Sequence, residues 1–88
     1  IYINICTTKI FIEKVKMTIN YQEEIKFISN KIRELRKEKQ MTVQELAYRC
    51  DMERSNMSRI ESGRTNLTVK TMCIICNALN VNLRDIIR

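Results

Sequence analysis

A chain of 88 residues carrying 16 Lys/Arg against 10 Asp/Glu has room for one small domain and one core, which excludes a multidomain enzyme. Its 44% hydrophobic and 30% charged residues place it among chains that fold, and its net charge of +6 favours polyanionic partners without demanding one. With no His it lacks the centre of the common catalytic triads, the commonest general base and the commonest zinc ligand, so neither catalysis, nor a metal, nor a cofactor is expected.

One Gly, no Pro and no Trp, with Leu, Ile, Glu, Lys, Arg and Met plentiful, favour helices over a sheet that needs many turn residues. Residues 1–16 are the exception. They are rich in Ile, Thr, Tyr and Phe and alternate weakly, as in Tyr2-Ile3-Asn4-Ile5, which suits a strand fragment or an N-terminal arm packing as an edge strand. Nothing downstream matches them, and Met17 is an attractive alternative start. Residues 1–16 are therefore set apart as an extension, non-native or disordered, and 17–88 are expected to form the functional domain.

From Tyr21 the pattern turns helical: Ile25, Ile28, Ile32 and Leu35 recur at spacings of three and four and share one face. Gln40-Met41 ends this helix. Thr42 opens the next as an N-cap, with Glu45 three residues on completing a capping box, and Leu46, Ala47 and Cys50 line its inner face. Asp51-Met52-Glu53 breaks the period before a short helix from Arg54 to Ser62, with Met57 and Ile60 inward and Gly63 as a left-handed cap. Thr68 caps a fourth helix with Val69, Met72, Ile75, Cys76 and Leu79 on its buried side. Asn80 ends it, Asn82 caps again, and Leu83, Ile86 and Ile87 form a last helical turn or two. An all-α, five-helix architecture results.

Cys6, Cys50, Cys73 and Cys76 are expected to be reduced thiols, since no secretory leader is evident and two fall inside helical apolar patterns. Cys73 and Cys76 form a C-x-x-C, but Ile74 and Ile75 separate them and no second pair completes a metal site. No apolar stretch approaches the roughly 20 residues that cross a bilayer, so a cytoplasmic protein without membrane contact is expected.

Two short helices joined by a three-residue turn, with small Ala47 in the first, Met52 in the turn and Met57 with Ile60 in the second, describe a helix-turn-helix. In this motif the first helix props the second outward so that one face enters a DNA major groove. Helical geometry turns Arg54, Ser55, Ser58, Arg59 and Ser62 away from Met57 and Ile60. That face holds two arginines, three hydroxyls and no acid. Arg54 and Arg59 are the candidate base readers, because an arginine presents two donors to guanine O6 and N7; Ser55 and Ser58 suit bases or phosphates alike.

Met41-Thr42-Val43-Gln44-Glu45-Leu46-Ala47, Met57-Ser58-Arg59-Ile60-Glu61-Ser62-Gly63-Arg64 and Ile75-Cys76-Asn77-Ala78-Leu79-Asn80-Val81-Asn82-Leu83 together resemble the phage repressor and Cro-like (XRE-type) family of helix-turn-helix regulators. The resemblance covers roughly Ile25 to Ile87, in the family's order and spacing. It implies a compact five-helix bundle of the lambda-repressor type, a homodimer on a two-fold operator, and transcriptional control without a cofactor. It places Arg54, Ser55 and Arg59 at base-contact positions and Thr42 and Val43 at the phosphate-facing start of the second helix. Arg64, Thr65, Asn66 and Lys70 fall where relatives touch the DNA backbone, and Arg36 and Glu61 where they form a structural ion pair. The chain differs from the family pattern at Val43, where a Gln is frequent, at Asp51 for Gly, at Glu53 for a Ser or Thr cap, and at Leu67 for Pro.

The expected function is a DNA-binding regulator of double-stranded DNA with no small-molecule ligand, dimeric through surplus apolar residues such as Ile74, Ile87 and Cys73. Controllers of restriction-modification systems, phage switches and small autoregulators all fit. The rival from another class is an antitoxin or other protein-binding module on the same fold.

Overall fold

The computed structural model describes residues 18–88. The expectations for residues 1–16, for Cys6 and for a start at Met17 lie outside the described residues. Among them the chain is wholly helical: α1 (Tyr21–Glu38), α2 (Val43–Arg49), α3 (Arg54–Glu61), α4 (Val69–Leu79) and a 3-10 turn (Leu83–Asp85). The expected fifth helix is thus a single turn. Asn82 N donates to Asp85 Oδ2 at 2.8 Å, and the turn serves to seat Ile86, which is fully buried. Three residues between a cap and that anchor are too few for an α-helical ladder.

Every element sends one or more side chains into a common core: Ile32 from α1, Leu46 from α2, Met57 from α3, Ile75 and Leu79 from α4, and Ile86 after the turn. Each such side chain contributes about 1.5–3 kcal/mol on leaving water. Val69 does not join them. It is 61% exposed, because the first turn of α4 overhangs the core that Ile75, Cys76 and Leu79 fill further along. Cys50 and Cys76 are buried and Cys73 is exposed, so the two cysteines of the C-x-x-C lie in different environments.

All four helices end alike, in a residue of positive φ: Gln40, Asp51, Gly63 and Asn80. After each, the next amide bonds back to a carbonyl five residues earlier, as Met41 N does to Arg36 O (3.1 Å) and Met52 N to Ala47 O (2.9 Å). This is the Schellman closure, in which an apolar residue commonly follows the left-handed one and packs back on the helix. Met41, Met52 and Val81 do so, whereas α3 has the exposed Arg64 in that place. At the far end, Arg88 bonds Glu24 through Nε at 3.1 Å and lies 4.6 Å above the Phe27 ring, tying the final residue to α1.

Candidate nucleic-acid interface

The second helix of the motif is positioned from three sides. The turn before it closes through the left-handed Asp51 (φ 58°) and half-buries Met52, so α2 and α3 meet over Leu46, Ala47 and Met57. From below, Met57 and Ile60 enter the core. From the side, Arg36 of α1 grips Glu61 with two hydrogen bonds, Nε to Oε2 at 2.8 Å and Nη2 to Oε1 at 3.0 Å. Its remaining Nη1 donates to the Met41 carbonyl at 2.7 Å. Glu61 is only 5% exposed, so this fork fixes the roll of α3 about its own axis through a charge pair that water does not loosen.

With that roll set, Arg54, Ser55, Ser58 and Arg59 are all exposed, and Ser62, the C-cap of α3, is exposed beside them. Its Oγ donates to the Arg59 carbonyl at 2.8 Å. Between Glu53 and Asp85 the chain carries Arg54, Arg59, Arg64, Lys70 and Arg84, and its single acid there is Glu61, already neutralised by Arg36. The outer surface from α3 to the start of α4 is therefore cationic. Glu53 stands at its edge as the N-cap of α3, without a side-chain cap bond.

The remaining predicted contacts fall into two groups. Thr42 is exposed and caps α2, accepting from Glu45 N at 3.0 Å. The Glu45 carboxylate does not complete the expected capping box but meets Arg49 one turn on, at 3.3 Å. Val43 is half-buried against the core. Arg64, Asn66 and Lys70 are exposed, whereas Thr65 is half-buried with its hydroxyl enclosed. Lys70 lies in the first turn of α4, whose Thr68 cap accepts from Thr71 N at 3.1 Å. The sequence did not single out Tyr48, which is 84% exposed on α2, or Gln22 and Lys26 of α1, which face residues 64–66 and lie outside the periodic apolar stripe.

Among the described residues no three His, Cys, Asp or Glu gather as a metal site, and no helix is long and apolar enough to cross a membrane. Residues 32–86, from the middle of α1 to the buried Ile86, match the profile of the helix-turn-helix family HTH_3. The chain belongs to that family. HTH_3 proteins of the Cro/C1 type are DNA-binding transcriptional regulators, and this HTH_3 chain shares their outline, with α2 and α3 as the motif.

Solved structures repeat the fold. The restriction-modification controller protein C.Esp1396I is 33% identical, with a TM-score of 0.65, over 73% of this chain and 82% of its own. The restriction-modification controller protein C.AhdI from Aeromonas hydrophila superposes with a TM-score of 0.73 at 22% identity, over 77% of this chain and 99% of its own. The clp gene regulator ClgR from Corynebacterium glutamicum reaches 0.68 at 24% identity, over 70% of this chain and 66% of its own. By sequence, no curated protein matches the HTH_3 chain at a significant level.

Proposed function

We propose that residues 17–88 form a sequence-specific transcriptional regulator that binds a two-fold symmetric operator as a homodimer, inserting α3 into the major groove. The observation that carries this reading is the division of α3. Met57, Ile60 and Glu61 are buried and locked, while Arg54, Ser55, Ser58 and Arg59 are exposed on one cationic face. Arg54 and Arg59 read guanine edges, Ser55 and Ser58 add shorter contacts, and Thr42, the Val43 amide, Arg64, Thr65, Asn66 and Lys70 hold the flanking phosphates. One reading helix covers too few base pairs for genomic specificity, which two copies on adjacent half-sites supply. The exposed Cys73 and Ile87, the latter 40% exposed, with the half-buried Ile74, offer a self-complementary seam away from α3.

The likeness to two restriction-modification controllers supports a small cytoplasmic regulator whose occupancy follows its own concentration. The test is selection of bound sites from a random duplex pool by the full chain. Enrichment of two half-sites in inverted repeat, centred about 34 Å apart, is expected. A pool that stays random, or an enriched site with no symmetry, would remove the reading or its dimer.

A further inference from the structure

Cys73 and Cys76 stand about one turn apart on α4, and their surroundings differ. Cys73 is exposed, whereas Cys76 is 3% exposed and belongs to the core. Burial, then the neighbouring Cys73 and Asp85, hold the Cys76 thiol above its usual range, an influence of one cysteine on the other that needs the two sulfurs near each other. Cys50 is buried at the C-cap of α2, so of the described cysteines Cys73 alone faces solvent. Cys76 also closes the end of its helix. Its carbonyl accepts from Val81 N at 3.0 Å, and its Sγ donates to the Asn82 carbonyl at 3.7 Å. These bonds hold the segment that leads into the 3-10 turn, after which Ile86 is buried and Ile87 is exposed.

Helical geometry decides what this pair can do. Residues three apart on an α-helix have Cα atoms about 5 Å apart, inside the span a disulfide bridges, but Cβ atoms about 5–6 Å apart where the bond needs roughly 3.5–4.5 Å. Joining Cys73 to Cys76 therefore requires the last turns of α4 to deform and Cys76 to swing toward the surface. That movement takes its Sγ out of the core and away from the Asn82 carbonyl. The apolar residues of the proposed seam adjoin both ends of the movement, since Ile74 follows Cys73 and Ile87 follows Ile86.

We propose that Cys73 and Cys76 form a reversible disulfide site, and that its oxidation by a small-molecule disulfide opens the dimer seam. The inference rests on the homodimer proposed above. Cys73 is the point of entry. Its thiolate attacks the small disulfide, forming a mixed disulfide and releasing one thiolate of the reagent. The Cys76 sulfur then attacks the Cys73 sulfur: the bond between the two cysteines forms, the mixed bond breaks, and the second reagent thiolate leaves with the Cys76 proton. Two protein thiols are oxidised and one external disulfide is reduced to two thiols. A buried, protonated thiol is a poor nucleophile, so the second step waits for the end of α4 to open. A dimer that covers Cys73 shields it, and oxidation draws on the free chain. The bond is strained, so excess thiol reverses it.

The full chain is equilibrated with oxidised and reduced glutathione in varied ratio, alkylated and digested with trypsin. Cleavage after Lys70 and Arg84 releases residues 71–84, which hold Cys73 and Cys76 and no other cysteine. With oxidised glutathione in excess, this fragment should escape alkylation and be lighter than the free dithiol by the mass of two hydrogen atoms; reduced glutathione in excess should restore the dithiol. Cys76→Ala should stop with glutathione on Cys73, and Cys73→Ser should leave Cys76 unmodified. A fragment that stays reduced, that keeps glutathione on Cys73 beside an intact Cys76, or that is joined through Cys73 to a second copy overturns the proposal.

Sedimentation of the same samples, and their affinity for the selected operator, read the consequence. The oxidised chain should shift toward monomer and bind the operator about fivefold more weakly or worse, the low end of ordinary couplings between two sites. Cys73→Ser should match the reduced chain in both conditions, with melting curves confirming its fold. A disulfide that forms without moving either readout overturns the control of the seam. The dimer fails separately. A reduced chain that is monomeric at every concentration removes the seam and its control together, whatever the fragment weighs, whereas a reduced chain that dimerises but never joins Cys73 to Cys76 sinks only this inference.

Discussion

The helices on either side of α3 secure their own beginnings, and α3 does not. Thr42 and Thr68 cap α2 and α4, at 3.0 and 3.1 Å, while α3 starts at Glu53 with no side-chain bond to its first amides. A helix of 8 residues is too short to persist on local interactions. Its stability comes from its inner face, through Met57 and Ile60 in the core and Glu61 on Arg36. The contrast shows how a reading helix is made from a short segment. Tertiary contacts along one side do the holding, and the start of the helix, with its outward amides and positive dipole end, stays available to a polyanion.

The strongest way to break this comparison is at the fork. Glu61→Ala leaves the buried Arg36 guanidinium with only the Met41 carbonyl, and should cost about 3 to 5 kcal/mol in urea unfolding. Replacing the pair together, with Arg36→Met and Glu61→Leu, should recover most of that loss, since two apolar side chains need no partners. A single variant losing less than about 1 kcal/mol would show that α3 is held by the core alone.

A second test acts on the turn that α3 shares with α2. Burial pushes the Cys50 thiol from 9.0 up to about 11. The unfolded thiol loses its proton from about pH 9, and the folded one keeps it until about pH 11. Across that window the unfolded state binds fewer protons, and stability falls as pH rises. The expected loss is about 2 kcal/mol by about pH 10.5, and Cys50→Ala should remove that part of the slope. Equal slopes with and without Cys50 would mean that the thiol ionises freely in the folded chain. Cys76, also raised by burial and by Cys73 and Asp85, supplies a residual slope in both.

On the outer face the effect moves from stability to binding. Arg59→Ala should lose about 1 to 3 kcal/mol on the preferred duplex and leave unfolding within about 0.5 kcal/mol. Lys70→Ala should instead weaken every duplex alike and flatten the salt slope by about one unit. Thermal destabilisation by Arg59→Ala would place its side chain in the fold rather than on the free face.

Much of this division was legible in the chain itself, because it rests on periodicity. Met57 and Ile60, three apart, define an inner side of α3 and therefore an outer one. Thr42, Gly63, Thr68 and Asn80 announce helix ends through capping chemistry that depends on neighbours in sequence. The Arg36–Glu61 fork was foreseen only through family resemblance, since a contact between residues 25 apart has no local signature. Gln40 in the left-handed region and the exposure of Val69 were not legible: the first follows from the closure that buries Met41, the second from where α4 meets the core. The open cleft between α1 and residues 63–66 was hidden for the same reason. Lys26 carries no signal in the sequence and Thr65 only the family resemblance, and folding alone sets the two on one junction.

The smallest expected effect bears most directly on why α3 begins as it does. Glu53→Thr would supply the missing cap, worth about 1 kcal/mol, but would remove a carboxylate that already interacts favourably with the positive end of the helix. The net gain in urea unfolding should be about 0.5 kcal/mol. Removing that exposed negative charge beside the cationic surface should also strengthen binding to every duplex at low salt, an advantage that fades as screening shortens to about 10 Å near 0.1 M. The two readouts need not move together. A chain that gains stability but loses affinity at all salt concentrations would mean that the threonine hydroxyl competes with phosphate for the first amides of α3. In that case the absence of a cap is itself part of the DNA-binding surface, and the contrast between α3 and its capped neighbours is functional as well as structural.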